Sequence, residues 1–107
     1  MRKAYKQIEE IVGSVDDPNT APLNMTFHLS KLSEETGELA QAINKLNGRK
    51  KIKGETEKEI LDNIEEEAAD SIQCIMAIAI NAGVDYESLK VRLQEKNKAF
   101  AKHVKKS

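Results

Sequence analysis

Four carboxylates have the spacing to do chemistry: Glu35 and Glu38, three residues apart, and Glu67 and Asp70, again three apart. Spacing alone carries little. With 18 acidic residues in 107, about three such pairs are expected by chance, and four occur, the others being Glu59/Asp62 and Asp62/Glu65. Position on the helix separates them. At roughly 100° per residue, with Leu32 at zero, Glu35 falls at about 300° and Glu38 at about 240°, beside the stripe of Met25, Leu39, Ile43 and Leu46. With Ile60 at zero on the next helix, Glu67 falls at about 340° and Asp70 at about 280°, beside Ile64, Ile75 and Ile78. Asp62 and Glu65 turn away from the centre of that arc, where a carboxylate is ordinary solvated surface. Side chains three apart on a helix are close neighbours, so each pair can present two carboxylates to one ion. Four half-buried carboxylates repel one another and are costly to desolvate unless a cation lies among them. A donor set of oxygens alone suits Mg²⁺ or Mn²⁺ rather than zinc. The alternative at this point is a charged rim answered by Lys and Arg.

The elements that must position these groups are helical. Only four aromatics are present (Tyr5, Phe27, Tyr86 and Phe100), so the core must be mostly Leu, Ile and Ala, good helix formers together with Lys and Glu. A first short helix is expected from Arg2 to about Val12, and Gly13 to Pro22 reads as a polar turn region. The second helix is expected from about Asn24 to Leu46, stopped at Asn47-Gly48. Thr56 and Glu59 form a capping box for a third helix that ends near Ala82 and Gly83. Asp85 caps a fourth helix running to about His103. No stretch alternates as a strand would. The expectation is one all-α domain over residues 1–107, a four-helix, up-and-down bundle. The apolar arc of the third helix is wider than one partner helix needs, which predicts completion by oligomerisation, as a homodimer or homotetramer.

The run Leu32-Ser33-Glu34-Glu35-Thr36-Gly37-Glu38-Leu39, followed by Glu66-Glu67-Ala68-Ala69-Asp70, resembles the MazG-like all-α nucleotide pyrophosphohydrolases, whose signature is EExxE on one helix and ExxD on the next. The resemblance covers about Thr26 to Phe100. It implies the fold of the all-α NTP pyrophosphatases, with Glu35, Glu38, Glu67 and Asp70 as ligands of Mg²⁺, for which Mn²⁺ could substitute. It also implies that a nucleoside or deoxynucleoside triphosphate is cut to the monophosphate and pyrophosphate, in the manner of a nucleotide-pool house-cleaning enzyme. Metal ions would neutralise the polyanionic substrate and polarise phosphorus.

The resemblance extends to single positions. Glu34 stands where the family often has an acid, and is the candidate for orienting or deprotonating the attacking water; the bland alternative is a solvated glutamate. Lys96-Asn97 is similar to a Lys-Asn pair that serves phosphate and sugar contacts in the family, whereas the Arg often found three residues later is Phe100 here. His28 projects on the same side of its helix as Glu35, as a base contact or as a packed core histidine. Cys74 reads as a small core residue. The basic connection Arg49 to Lys53 could shield phosphates, although a run of lysines, like the tail Lys102 to Lys106, is usually solvated surface.

Composition excludes other classes. Lys and Arg number 17 against 18 acidic residues, a formal charge of −1, so no basic field points to a nucleic-acid partner. The longest apolar run, Cys74 to Ile80, is far short of the ~20 residues of a membrane helix. No apolar stretch follows Met1-Arg-Lys, and a single cysteine fits a reducing compartment; a cytoplasmic setting without a secretory signal is the expectation. Two other functions fit the same features: a phosphoribosyl-ATP pyrophosphatase, with similar fold and acidic motifs, and a non-catalytic helical interaction module.

Overall fold

The computed structural model describes residues 1–48 and 54–106; the basic connection 49–53 lies outside the described residues. The described residues form four α-helices and no strand: α1 (Arg2–Val15), α2 (Ala21–Leu46), α3 (Glu57–Asn81) and α4 (Tyr86–Lys106). A one-turn 3-10 helix, Pro18–Thr20, links α1 to α2. The all-α, four-helix expectation therefore holds. None of the described helices is long and apolar enough to cross a membrane.

The helix ends follow local chemistry. Thr56 caps α3 by accepting a hydrogen bond from the Glu59 amide at 3.2 Å, and Asp85 caps α4 by accepting one from Ser88 N at 2.8 Å. Gly48 and Gly83 close α2 and α3 with φ of 79° and 83°, a conformation costly for any residue with a Cβ. Three boundaries differ from the sequence expectation, α4 by running on past His103 to Lys106. Helix α1 runs on past Gly13 to Val15, and α2 begins at Ala21 because Pro22 occupies its first turn, where a missing N–H costs nothing.

The centre of the molecule is the long α2–α3 hairpin, with α1 laid against α3. The buried apolar residues of the hairpin are Ala42 of α2 and Ile60, Cys74, Met76 and Ala77 of α3, small and flexible side chains spread along its length. Tyr5 anchors α1. Its ring is fully buried against Tyr86, 5.6 Å between centroids, and its hydroxyl donates to the Val84 carbonyl at 2.7 Å. At the opposite end of α1 a polar knot ties three helices. Asp16 Oδ2 accepts from Asn81 Nδ2 at 2.9 Å and meets His28 Nε2 at 2.8 Å, while Asn24 donates to Asn81 Oδ1 at 3.0 Å. Helix α4 is different: from residue 91 to 105 every side chain is exposed, including Leu93 at 57% and Phe100 at 69%.

Candidate metal centre

Antiparallel pairing of α2 and α3 lays Glu35 and Glu38, successive turns of one helix, against Glu67 of the other. One carboxylate oxygen from each lies within 4.8 Å of the other two. Glu35 is buried, 7% exposed, and Glu38 and Glu67 are half-buried. The Oε2 atoms of Glu35 and Glu67 are buried with no hydrogen-bond partner. Among the described residues, the cation paired with the cluster is Lys31, one turn before Glu35, with Nζ 3.9 Å from Glu35 Oε1 and a side chain half in solvent. That contact is too long and too wet to neutralise three carboxylates.

The crowding shows in the acidity of Glu67. The close carboxylate of Glu35, burial and the neighbouring carboxylate of Glu38 push its carboxyl up to about 7. Without a cation, a proton on Glu67 relieves the repulsion. A divalent cation would do the same with more charge. The orphaned oxygens and the all-oxygen donor set therefore fit a hard cation of the Mg²⁺ or Mn²⁺ type.

The other residues named from the sequence lie around this centre to different degrees. Asp70, one turn beyond Glu67 on α3, is exposed and stands outside the tight trio, yet lines with Glu35 a cavity between α1, α2 and α3. Glu34 is exposed on α2. His28 lines the same cavity, its Nε2 committed to Asp16 and its side chain 17% exposed. Lys96 and Asn97 are exposed on α4 and take no part in the lining of that cavity. Cys74 is a buried free thiol, pushed up in pKa chiefly by burial, as suits a core position. Asp62, set aside from the sequence as surface, pairs in solvent with Lys58 at 2.9 Å.

Three neighbours of the site were not singled out in the sequence. Lys31 was legible, since a Lys four residues before a Glu shares its helix face. Phe27 and Gln73 line the cavity but look like ordinary helix positions in sequence. The partnership of Asp16 with His28 had no local signal, because Asp16 sits in what reads as turn chemistry.

No curated protein and no solved structure matched the chain. A family model described as the MazG nucleotide pyrophosphohydrolase domain matches residues 24–105, which takes in both carboxylate helices and α4 and leaves out α1. With the match spanning most of the sequence and both acidic motifs inside it, the chain belongs to the MazG nucleotide pyrophosphohydrolase family.

Proposed function

We propose that this protein hydrolyses a nucleoside or deoxynucleoside triphosphate to the monophosphate and pyrophosphate in a Mg²⁺-dependent reaction, Mn²⁺ being able to substitute, as part of nucleotide-pool house-cleaning. The observation that carries the proposal is the Glu35–Glu38–Glu67 cluster with its orphaned buried oxygens, inside the span matched by the family. Glu35, Glu38 and Glu67 would hold the metal, with Asp70 completing the set from the rim. When bound, the cation offsets phosphate charge and draws electron density from phosphorus. In the reaction a water oxygen bonds to phosphorus, the bridging P–O bond between the α- and β-phosphates breaks, and pyrophosphate departs. Glu34, exposed beside the cluster, is the carboxylate assigned to orient that water and accept its proton. Lys96 and Asn97 are assigned to phosphate and sugar, and His28 to the base.

The exposed Leu93 and Phe100 of α4 support assembly into a homodimer or homotetramer, and the buried free thiol of Cys74 supports a cytoplasmic setting. The test is pyrophosphate release from a panel of NTPs and dNTPs, with Mg²⁺ or with EDTA, beside Glu38→Ala. Metal-dependent release that the variant lacks is the expected result. Silence across the panel with release from phosphoribosyl-ATP would reassign the substrate. Silence on both, in folded protein whose stability ignores Mg²⁺, would overturn the enzyme reading in favour of an interaction module.

A further inference from the structure

Lys31 stands apart from the other lysines that face carboxylates. Lys45 reaches Glu55 at 3.2 Å and Lys58 reaches Asp62 at 2.9 Å, both hydrogen bonds. Lys31 Nζ holds off from Glu35 Oε1 at 3.9 Å, beyond hydrogen-bond reach, and among the described residues its ammonium donates to nothing. Its side chain lines the cavity of about 360 Å³ between α1, α2 and α3, and it is the one lysine or arginine in that lining among the described residues. Three N–H donors on a flexible four-carbon stem thus stand beside the carboxylates without an acceptor of their own.

Charge balance says what such an ammonium can do. Glu35, Glu38 and Glu67 together outweigh one divalent ion, and Asp70 at the rim adds to the excess. A triphosphate approaching them meets net negative charge unless a further cation stands within reach. Lys31 is so placed. It and Asp70 both line the cavity and both act electrostatically on the Cys74 thiol, so ammonium and rim carboxylate share one side of the cluster. The hold of Glu35 on Lys31 also depends on how else that carboxylate is answered. Once Glu35 is shared with a divalent cation, the two positive charges repel each other. The ammonium is then released towards the cavity, where a phosphate oxygen is the acceptor it lacks.

We infer that Lys31 is an exchanging counter-charge: it faces Glu35 in the metal-free chain and turns to a non-bridging phosphate oxygen of the substrate when the carboxylates hold a divalent cation. The inference rests on the proposed metal and nucleotide substrate, and it adds an order to their binding. Metal comes first and frees the ammonium, and the nucleotide follows. No bond is made or broken at Lys31. Its charge-assisted hydrogen bond offsets charge on the triphosphate and on the departing pyrophosphate.

The experiment compares the full chain with Lys31→Met and Lys31→Arg in two binding assays that need no turnover. Mn²⁺ binding is read from loss of the free-ion EPR signal, and nucleotide binding by calorimetry with α,β-imido analogues of the dNTPs in saturating Mg²⁺. Lys31→Met removes a positive charge beside the cluster, so Mn²⁺ should bind about two- to fivefold tighter. The same variant should bind the analogues at least about tenfold more weakly, the size of one lost charge-assisted hydrogen bond. Lys31→Arg, which keeps the charge, should restore most of both. Lys31 is exposed, so all three proteins should share one circular dichroism spectrum. Opposite signs in one variant are the signature, because a lysine that merely supported the fold around Glu35 would weaken both affinities when lost. Both affinities weaker, or either one unchanged, would overturn the role of Lys31. A wild-type chain that takes up neither Mn²⁺ nor any analogue would overturn the proposed hydrolysis along with it, so the two failures are told apart by the wild type.

Discussion

At the scale of single residues, Glu67 couples protons, metal and stability. Its carboxyl, ordinarily near 4.5, stands at about 7 because Glu35 and Glu38 crowd it. Between those values the unfolded chain has released the proton that the folded chain still holds. The metal-free protein should therefore lose stability as pH rises from 4.5 towards 7 and level off above it. Divalent-ion binding has the opposite slope. The ion needs the carboxylates ionised, so affinity should rise up to about pH 7, and calorimetry in buffers of different ionisation enthalpy should show a proton released on binding below that pH. Glu67→Gln should remove both effects. It should raise the melting temperature of the metal-free protein, abolish stabilisation by Mg²⁺ and cut pyrophosphate release by at least about a hundredfold. A variant that kept metal-dependent activity would remove Glu67 from the site.

The same residue shows how far periodicity can be read. Glu67 and Asp70 share a motif, but helical geometry sets Asp70 about 60° further round α3. That rotation separates a half-buried carboxylate in the trio from an exposed one at its rim. Likewise Glu34, about 100° from Glu35, faces solvent while its neighbour is buried. Angle and spacing grouped four acids, of which Glu35, Glu38 and Glu67 come together and Asp70 stands outside the trio. What the local angles do not contain is the partner of His28, since Asp16 arrives from another helix through a turn.

At the scale of elements, caps were legible and packing partners were not. The Thr56/Glu59 signature predicts the start of α3, and the structure shows the hydroxyl accepting from the Glu59 amide. Thr56→Ala should cost about 1 kcal/mol by urea unfolding, with an unchanged slope. Tyr5 is the contrary case: an apolar position of a short helix in sequence, it turns out to pin α1 across the α3–α4 turn through a buried hydroxyl. Tyr5→Phe leaves the ring in place and strips the Val84 carbonyl of its donor, for an expected loss of about 1–3 kcal/mol. Because α1 walls the cavity beside the carboxylates, Tyr5→Phe should also raise KM for nucleotides more than it lowers kcat. An unchanged KM alongside the lost stability would separate the anchoring of α1 from substrate binding.

At the scale of the whole molecule, α4 sets the problem. Its apolar stripe was legible, but nothing local says which surface that stripe meets. Isolated helices of this length are marginal in water, and most helical stability comes from packing an apolar face. Yet from residue 91 to 105 the helix is exposed, with Val91, Leu93 and Phe100 between 51% and 69% accessible. The arc on α3 leaves Ile72 and Ile75 similarly open, at 44% and 49%. Two apolar surfaces on one small chain are satisfied together when copies associate, each covering what the other exposes. Light scattering at micromolar concentration is thus expected to give two or four times the chain mass. Leu93→Glu with Phe100→Glu should yield monomer, and the ellipticity at 222 nm should fall as α4 frays, while α1 to α3 remain folded. A wild-type monomer with full helicity would show instead that α4 stands without a partner, and the oligomer would have to be given up. The sign of the activity change in the double variant carries further information. Lys96 and Asn97 ride on the same helix, so loss of assembly should cost hydrolysis even though the carboxylates of α2 and α3 are untouched.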